Sequence, residues 1–137
     1  MISTRNNMSG KVSNIIEGSV NCLVQVDLGN GEVGACNTSL KTVKELGLAQ
    51  GTDVKLLFKA PTVIVANEQM NVGTQNKFYG KVVEAKKGDI VSLVKIETKA
   101  GNKISSLITT ESFDEMNVQV GNEMYAYVKA MNVVLSK

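Results

Sequence analysis

Three short segments of this 137-residue chain collect side chains that donate hydrogen bonds or carry positive charge: Ser3-Thr4-Arg5-Asn6, Ser39-Leu40-Lys41-Thr42-Val43 and Lys59-Ala60. Convergent N–H and O–H donors beside a cation are the chemistry of holding a compact oxyanion. Arg5 adds a planar fork and Lys59 a point charge. The middle segment opens a short helix, whose first backbone N–H groups lack partners within the helix and whose dipole favours negative charge. Singly, each segment is ordinary: a Ser or Thr before a helix is usually a cap, and a lone Lys59 is usually a solvated surface charge. Bond-making chemistry has no such footing. The chain contains no histidine, and no nucleophile has a base partner, so catalysis is not expected.

Cys22 and Cys36 have no CxxC spacing and no histidine to complete a soft metal site, which excludes zinc and Cys-His chemistry. Cys22 falls on the apolar phase of Val20, Val24 and Val26, the position of a reduced core thiol. The Gly29-Asn30-Gly31 turn could bring both thiols together across a hairpin, but no disulfide is expected in a reducing compartment. A net charge of +2 is too small to attract a polyanion through bulk electrostatics, so any anion must be read locally. No stretch of about 20 apolar residues exists, and the polar start lacks the pattern of a signal peptide. The expectation is a cytoplasmic protein with neither a membrane nor a nucleic-acid partner.

The elements that must position these donors come from a duplication. Sliding the chain on itself by 70 positions lays residues 3–66 over 73–136 without a gap. Gly10-Lys11-Val12 falls on Gly80-Lys81-Val82, Gly18 on Gly88, Gly51 on Gly121 and Lys59-Ala60 on Lys129-Ala130. Glycines recurring at one phase mark reused turns. Within the first copy, alternation and Val/Ile richness predict strands at 10–17, 19–28, 32–37, 54–60 and 62–66. A short helix is predicted from 39 or 40 to 46, stopped by Gly47, with its counterpart at 109–116. Each copy thus reads as a five-stranded OB-like β-barrel with one short helix, making an all-β chain of two domains, 1–68 and 72–137, joined by the polar linker 67–73. Copies of this size bury little surface alone, so pairing or oligomerisation is expected.

In this order, and twice over, the motifs resemble the molybdenum-pterin-binding (molbindin, Mop, TOBE-like) family, and in particular its two-repeat members. Ser3-Thr4-Arg5-Asn6 is similar to that family's opening S-A-R-N, Glu17-Gly18-Ser19-Val20-Asn21 to its E/K-G-A-V-N, and Ser39-Leu40-Lys41-Thr42 to its T-x-x-S helix start. Lys59-Ala60 with Thr62-Val63-Ile64 is similar to its K-A-(S/T)-x-V-(I/L) ending. The resemblance implies intracellular storage or buffering of molybdate or tungstate as bound ligand, no organic cofactor, and assembly as trimers with anions held between repeats or subunits. One class of site would use Ser3, Thr4, Arg5 and Asn6, or Gln75 and Asn76, from one repeat. Facing them would stand Ser39, Thr42, Val43, Lys59 and Ala60, or Thr109, Ser112, Phe113, Lys129 and Ala130, taken repeat by repeat. A second class would use Gly18, Ser19, Val20 and Asn21. No residue is implied as a direct ligand of a metal cation.

The second copy departs where this matters. Gly73 and Gln75 replace Ser3 and Arg5, and Asp89-Ile90-Val91 replaces Ser19-Val20-Asn21. Sites relying on these positions are expected to be weak or vacant, because Gly73 and Gln75 lack the hydroxyl and guanidinium and the Asp89 carboxylate repels an anion. An OB-like barrel also suggests nucleic-acid or other ligand binding, but stacking platforms need aromatics, which are 4% of this chain. Neither a methionine-flanked carrier lysine, a Walker motif nor a helix-turn-helix region is present.

Overall fold

The computed structural model describes residues 6–137. The first repeat forms β1 (Asn6–Glu17), β2 (Asn21–Gly29), β3 (Glu32–Ser39), helix α1 (Leu40–Glu45), β4 (Asp53–Phe58) and β5 (Ile64–Ala66). The second repeats the order with β6 (Asn76–Lys86), β7 (Val91–Thr98), β8 (Lys103–Thr109), α2 (Thr110–Glu115), β9 (Glu123–Val128) and β10 (Val134–Ser136). A single 3-10 turn, Ala60–Thr62 or Ala130–Asn132, precedes the last strand of each repeat.

Two features shape the sheets. Register shifts between Val12 and Asn14, and between Val82 and Glu84, insert a bulge that bends the long first strand of each repeat. That strand also passes so close to its neighbour that a Cβ on Gly10 would lie 2.4 Å from the Asp27 carbonyl oxygen, and one on Gly80 2.3 Å from that of Glu97. Only glycine fits there. Helix ends follow the same economy: Gly47 sits at φ 61°, and Asn117, its counterpart, holds the left-handed conformation at φ 49°.

The departure from the sequence expectation lies in the fifth strand. The sheet orders are β10-β4-β1-β2-β3 and β5-β9-β6-β7-β8. Val134 pairs with Leu57, and Ile64 pairs with Tyr127. Each repeat therefore gives its last strand to the other sheet, and each five-stranded sheet is composite. Strand bounds also move: β1 begins at Asn6 rather than 10, and β4 ends at Phe58, so Lys59 and Ala60 leave the sheet for the turn. Pro61, at the start of that turn, cannot supply an N–H to a ladder.

The exchange merges the interiors. Met8, Val24, Val26, Leu56 and Phe58 belong to one continuous apolar cluster with Phe78, Val94, Ile96, Ile104 and Val128. Where the repeats meet, polar groups are paired. The Asn6 amide donates to the Ser105 carbonyl (2.9 Å) and accepts from the Ser105 N–H (2.7 Å). At the position related by the repeat, Asn76 does the same to Ala35, at 2.9 and 2.7 Å. The linker is tied down where the Met70 N–H donates to the Tyr127 hydroxyl (2.9 Å).

Candidate oxyanion site

Each helix start presents two hydroxyls one turn apart. Ser39 caps α1, its Oγ accepting the Thr42 N–H (3.0 Å) while lying 2.9 Å from Thr42 Oγ1. Thr109 caps α2, accepting the Ser112 N–H (3.2 Å) and donating to Ser112 Oγ (2.9 Å). The proton of Thr109 is thereby spent inside the pair, and that of Ser112 is not used by the pair. Val43 and Phe113 turn their side chains into the core, so their side chains are not available to a ligand.

The helix starts are fastened to the hairpin that holds the second class of donors. The Leu40 N–H donates to the Val20 carbonyl and the Thr110 N–H to that of Ile90, both at 2.8 Å. Gly18 and Asn21 close the first hairpin through an N–H to carbonyl bond of 2.9 Å, leaving Ser19, Val20 and Asn21 exposed. The second hairpin is built differently. The Gly88 N–H donates to Ser92 Oγ (3.1 Å), Ser92 and Thr110 hydroxyls share a 2.8 Å bond, and Thr110 Oγ1 donates to the Gly88 carbonyl (2.9 Å). In the first repeat Cys22 and Leu40 stand at these positions, so this ring of three bonds belongs to the second alone.

Strand exchange decides which donors meet. A cleft of about 430 Å³ runs between Pro61, Val63 and Val65 of the first repeat and Thr109, Ser112 and Glu115 of the second. Sequence grouped Lys59-Ala60 with Ser39 and Thr42, and Lys129-Ala130 with Thr109 and Ser112; in this cleft Pro61, which follows Lys59-Ala60, stands with Thr109 and Ser112. The turn after Lys59 lies along β8, which leads into α2, and the turn after Lys129 lies along β3, which leads into α1. Two bonds hold this arrangement: Ser106 Oγ donates to the Val63 carbonyl (2.7 Å) and Cys36 Sγ to the Val133 carbonyl (3.0 Å). Burial pushes the Cys36 thiol up from 9.0 to about 11, so it stays a protonated donor. Sequence reasoning missed both; the signal for the first was Ser105-Ser106 set between Ile104 and Leu107.

The remaining expected residues separate. Ser3, Thr4 and Arg5 lie outside the described residues. Asn6 and Asn76 are fully buried and carry the cross-repeat bonds described above, and Gln75 is exposed just before β6. Lys59 and Lys129 are exposed, with Ala60 and Ala130 buried behind them. The helices differ in charge: α1 carries Lys41 and Lys44 with Glu45, whereas α2 carries Glu111, Asp114 and Glu115.

The TOBE-domain family profile matches residues 2–65 and 74–135. A probable molybdenum-pterin-binding protein of Haemophilus influenzae is 45% identical over 67 residues, covering 49% of this chain and 97% of that protein. The molybdenum-pterin-binding protein MopB of Rhodobacter capsulatus is 26% identical over 136 residues, 98% of this chain but 50% of its own length. Among solved structures, the cytoplasmic molybdate-binding protein ModG, crystallised with molybdate bound, superposes with a TM-score of 0.94 at 32% identity, covering 98% of this chain and 97% of that one. Two complete copies of the profile, with relatives that match one copy and relatives that match both, make this chain a tandem two-repeat member of the TOBE-domain family, among its molybdenum-pterin-binding proteins.

Proposed function

We propose that this protein binds molybdate or tungstate and serves as a cytoplasmic store or buffer of that oxyanion rather than as an enzyme. The observation that carries this is the near-complete superposition on a molybdate-bound protein at a TM-score of 0.94. The chemistry of the clefts agrees with it. The hydroxyls of Ser112 and Thr42, helix-start amides, and Lys59 or Lys129 offer donors to a fully deprotonated dianion, which needs no acceptor in return. Molybdate and tungstate are alike in size and charge, so both are expected to bind. Trimeric assembly, bringing further clefts between subunits, and use of the Ser3-Thr4-Arg5 segment and the Gly18–Asn21 hairpin belong to the same proposal. Native mass spectrometry with and without molybdate reads subunit number and bound ions together. Retention of neither molybdate nor tungstate by the folded protein in equilibrium dialysis would end the proposal.

A further inference from the structure

Sequence position sets Asn6 and Asn76 among the oxyanion donors, yet the nitrogen and the oxygen of each amide bond the backbone of the other repeat. We infer that Asn6 and Asn76 are positioning residues, each holding one oxyanion cleft in shape from across the repeat boundary, taking the clefts as the sites proposed above.

The geometry runs through two consecutive residues of an edge strand. β8 has a strand neighbour, β7, on one side only. The Asn6 amide completes the Ser105 N–H and carbonyl as a strand partner would. The next residue, Ser106, holds the Val63 carbonyl, three positions beyond Ala60. Farther along, β8 delivers Thr109 and then Ser112. The place at which Pro61 and Val63 line the cleft beside those hydroxyls is thus set by the Asn6–Ser105 and Ser106–Val63 bonds together. The other helix start has the same device, with Asn76 on Ala35 and Cys36 on Val133 along the strand that leads to Ser39 and Thr42.

An amide suits this task because it offers a donor and an acceptor in one rigid plane; a carboxylate only accepts, and a methyl group offers neither. Asn6 is 0% and Asn76 1% exposed. Without the amide, the backbone groups of Ser105 or Ala35 lose their partners in a buried place, and the strand must shift to reach water. A small anion surrounded by fixed donors is sensitive to such shifts, and outer-shell substitutions of this kind weaken binding on the order of tenfold or more.

The two clamps serve different clefts, and that separates positioning from general loosening of the fold. Amide spectra of ¹⁵N-labelled wild type, Asn6→Ala and Asn76→Ala are recorded while molybdate is added. Asn6→Ala is expected to weaken the response at Ser112 and Phe113 by roughly tenfold and to leave Thr42 and Val43 unchanged, with Asn76→Ala doing the reverse. In the ligand-free protein, the Ser105 amide should exchange with solvent faster in Asn6→Ala. Should that variant not fold, Ser106→Ala loosens the same cleft more mildly and is expected to give the same one-sided response. Equal weakening at both helix starts, or an unchanged Ser105 exchange rate, overturns the inference. A wild-type protein that takes up no molybdate overturns the function proposed above instead, and the Ser105 exchange rate still decides the clamp.

Discussion

Thr109 and Ser112 sit one helical turn apart, and the structure gives them separable jobs. Thr109 accepts the Ser112 N–H and donates its own hydroxyl to Ser112 Oγ; among the described residues the Ser112 hydroxyl holds no backbone group. Replacing Ser112 by Ala leaves the cap in place, so stability should change by less than about 0.5 kcal/mol. Under the proposed function the replacement removes a hydroxyl that donates to the anion, and a hydrogen bond to a charged partner is worth roughly 1.5–3 kcal/mol. Converted, that is a loss on the order of 10- to 150-fold in affinity at this cleft. Thr109→Ala removes the cap itself and should cost about 1 kcal/mol of stability in the absence of ligand, with a loss of affinity in addition because Ser112 is no longer oriented. Calorimetric titration with molybdate, set beside urea denaturation without it, measures both quantities. Unchanged molybdate affinity in Ser112→Ala, or a Thr109→Ala protein as stable as wild type, would refute the division of roles.

Other perturbations follow from the same geometry. Cys36→Ser should be nearly neutral, since a hydroxyl already does this work at Ser106, whereas Cys36→Ala leaves the Val133 carbonyl unpaired and should cost about 1–3 kcal/mol by chemical denaturation. Above pH 9 the unfolded thiol loses its proton while the folded one keeps it to about 11. Stability should therefore fall as pH rises through this window, a slope absent from Cys36→Ser. Gly80→Ala drives a Cβ to 2.3 Å from the Glu97 carbonyl oxygen and should destabilise by about 2 kcal/mol or more, while Gly73→Ser, with open space around it, should leave the melting temperature unchanged. Glu111→Gln and Glu115→Gln remove negative charge beside the Thr109–Ser112 cleft and should raise its molybdate affinity, most visibly at low salt.

Much of the scaffold could be read from residues alone. Alternating Val, Ile and Leu, recurrent glycines and a Ser or Thr before each helix are local signals, and strands, turns and caps are local events. Alternation reports which face of a strand is buried but not which strand it pairs with, so the destination of Ile64–Ala66 and Val134–Ser136 was not legible. Because the cleft is made by that exchange, the grouping of its donors was hidden with it. Asn6 and Asn76 were recognisable as donors, yet an amide side chain carries no mark telling a ligand from a neighbouring backbone. Both lie in phase with the buried positions Met8 and Phe78, the one hint that they point inward.

The crossing of β5 and β10 also governs the order of events during synthesis. β1 through β4 emerge early, but the sheet they begin closes only when residues 134–136 arrive at its β4 edge. Until then that edge stays open while the ribosome makes the second half, and an unpaired edge of this kind is a place where nascent chains stick to one another. The pairing that completes the first sheet spans nearly the whole sequence, so folding should be slower than either repeat's local hairpins would suggest. A nascent chain released just before Val134 would leave its β4 edge available to the last strand of another molecule.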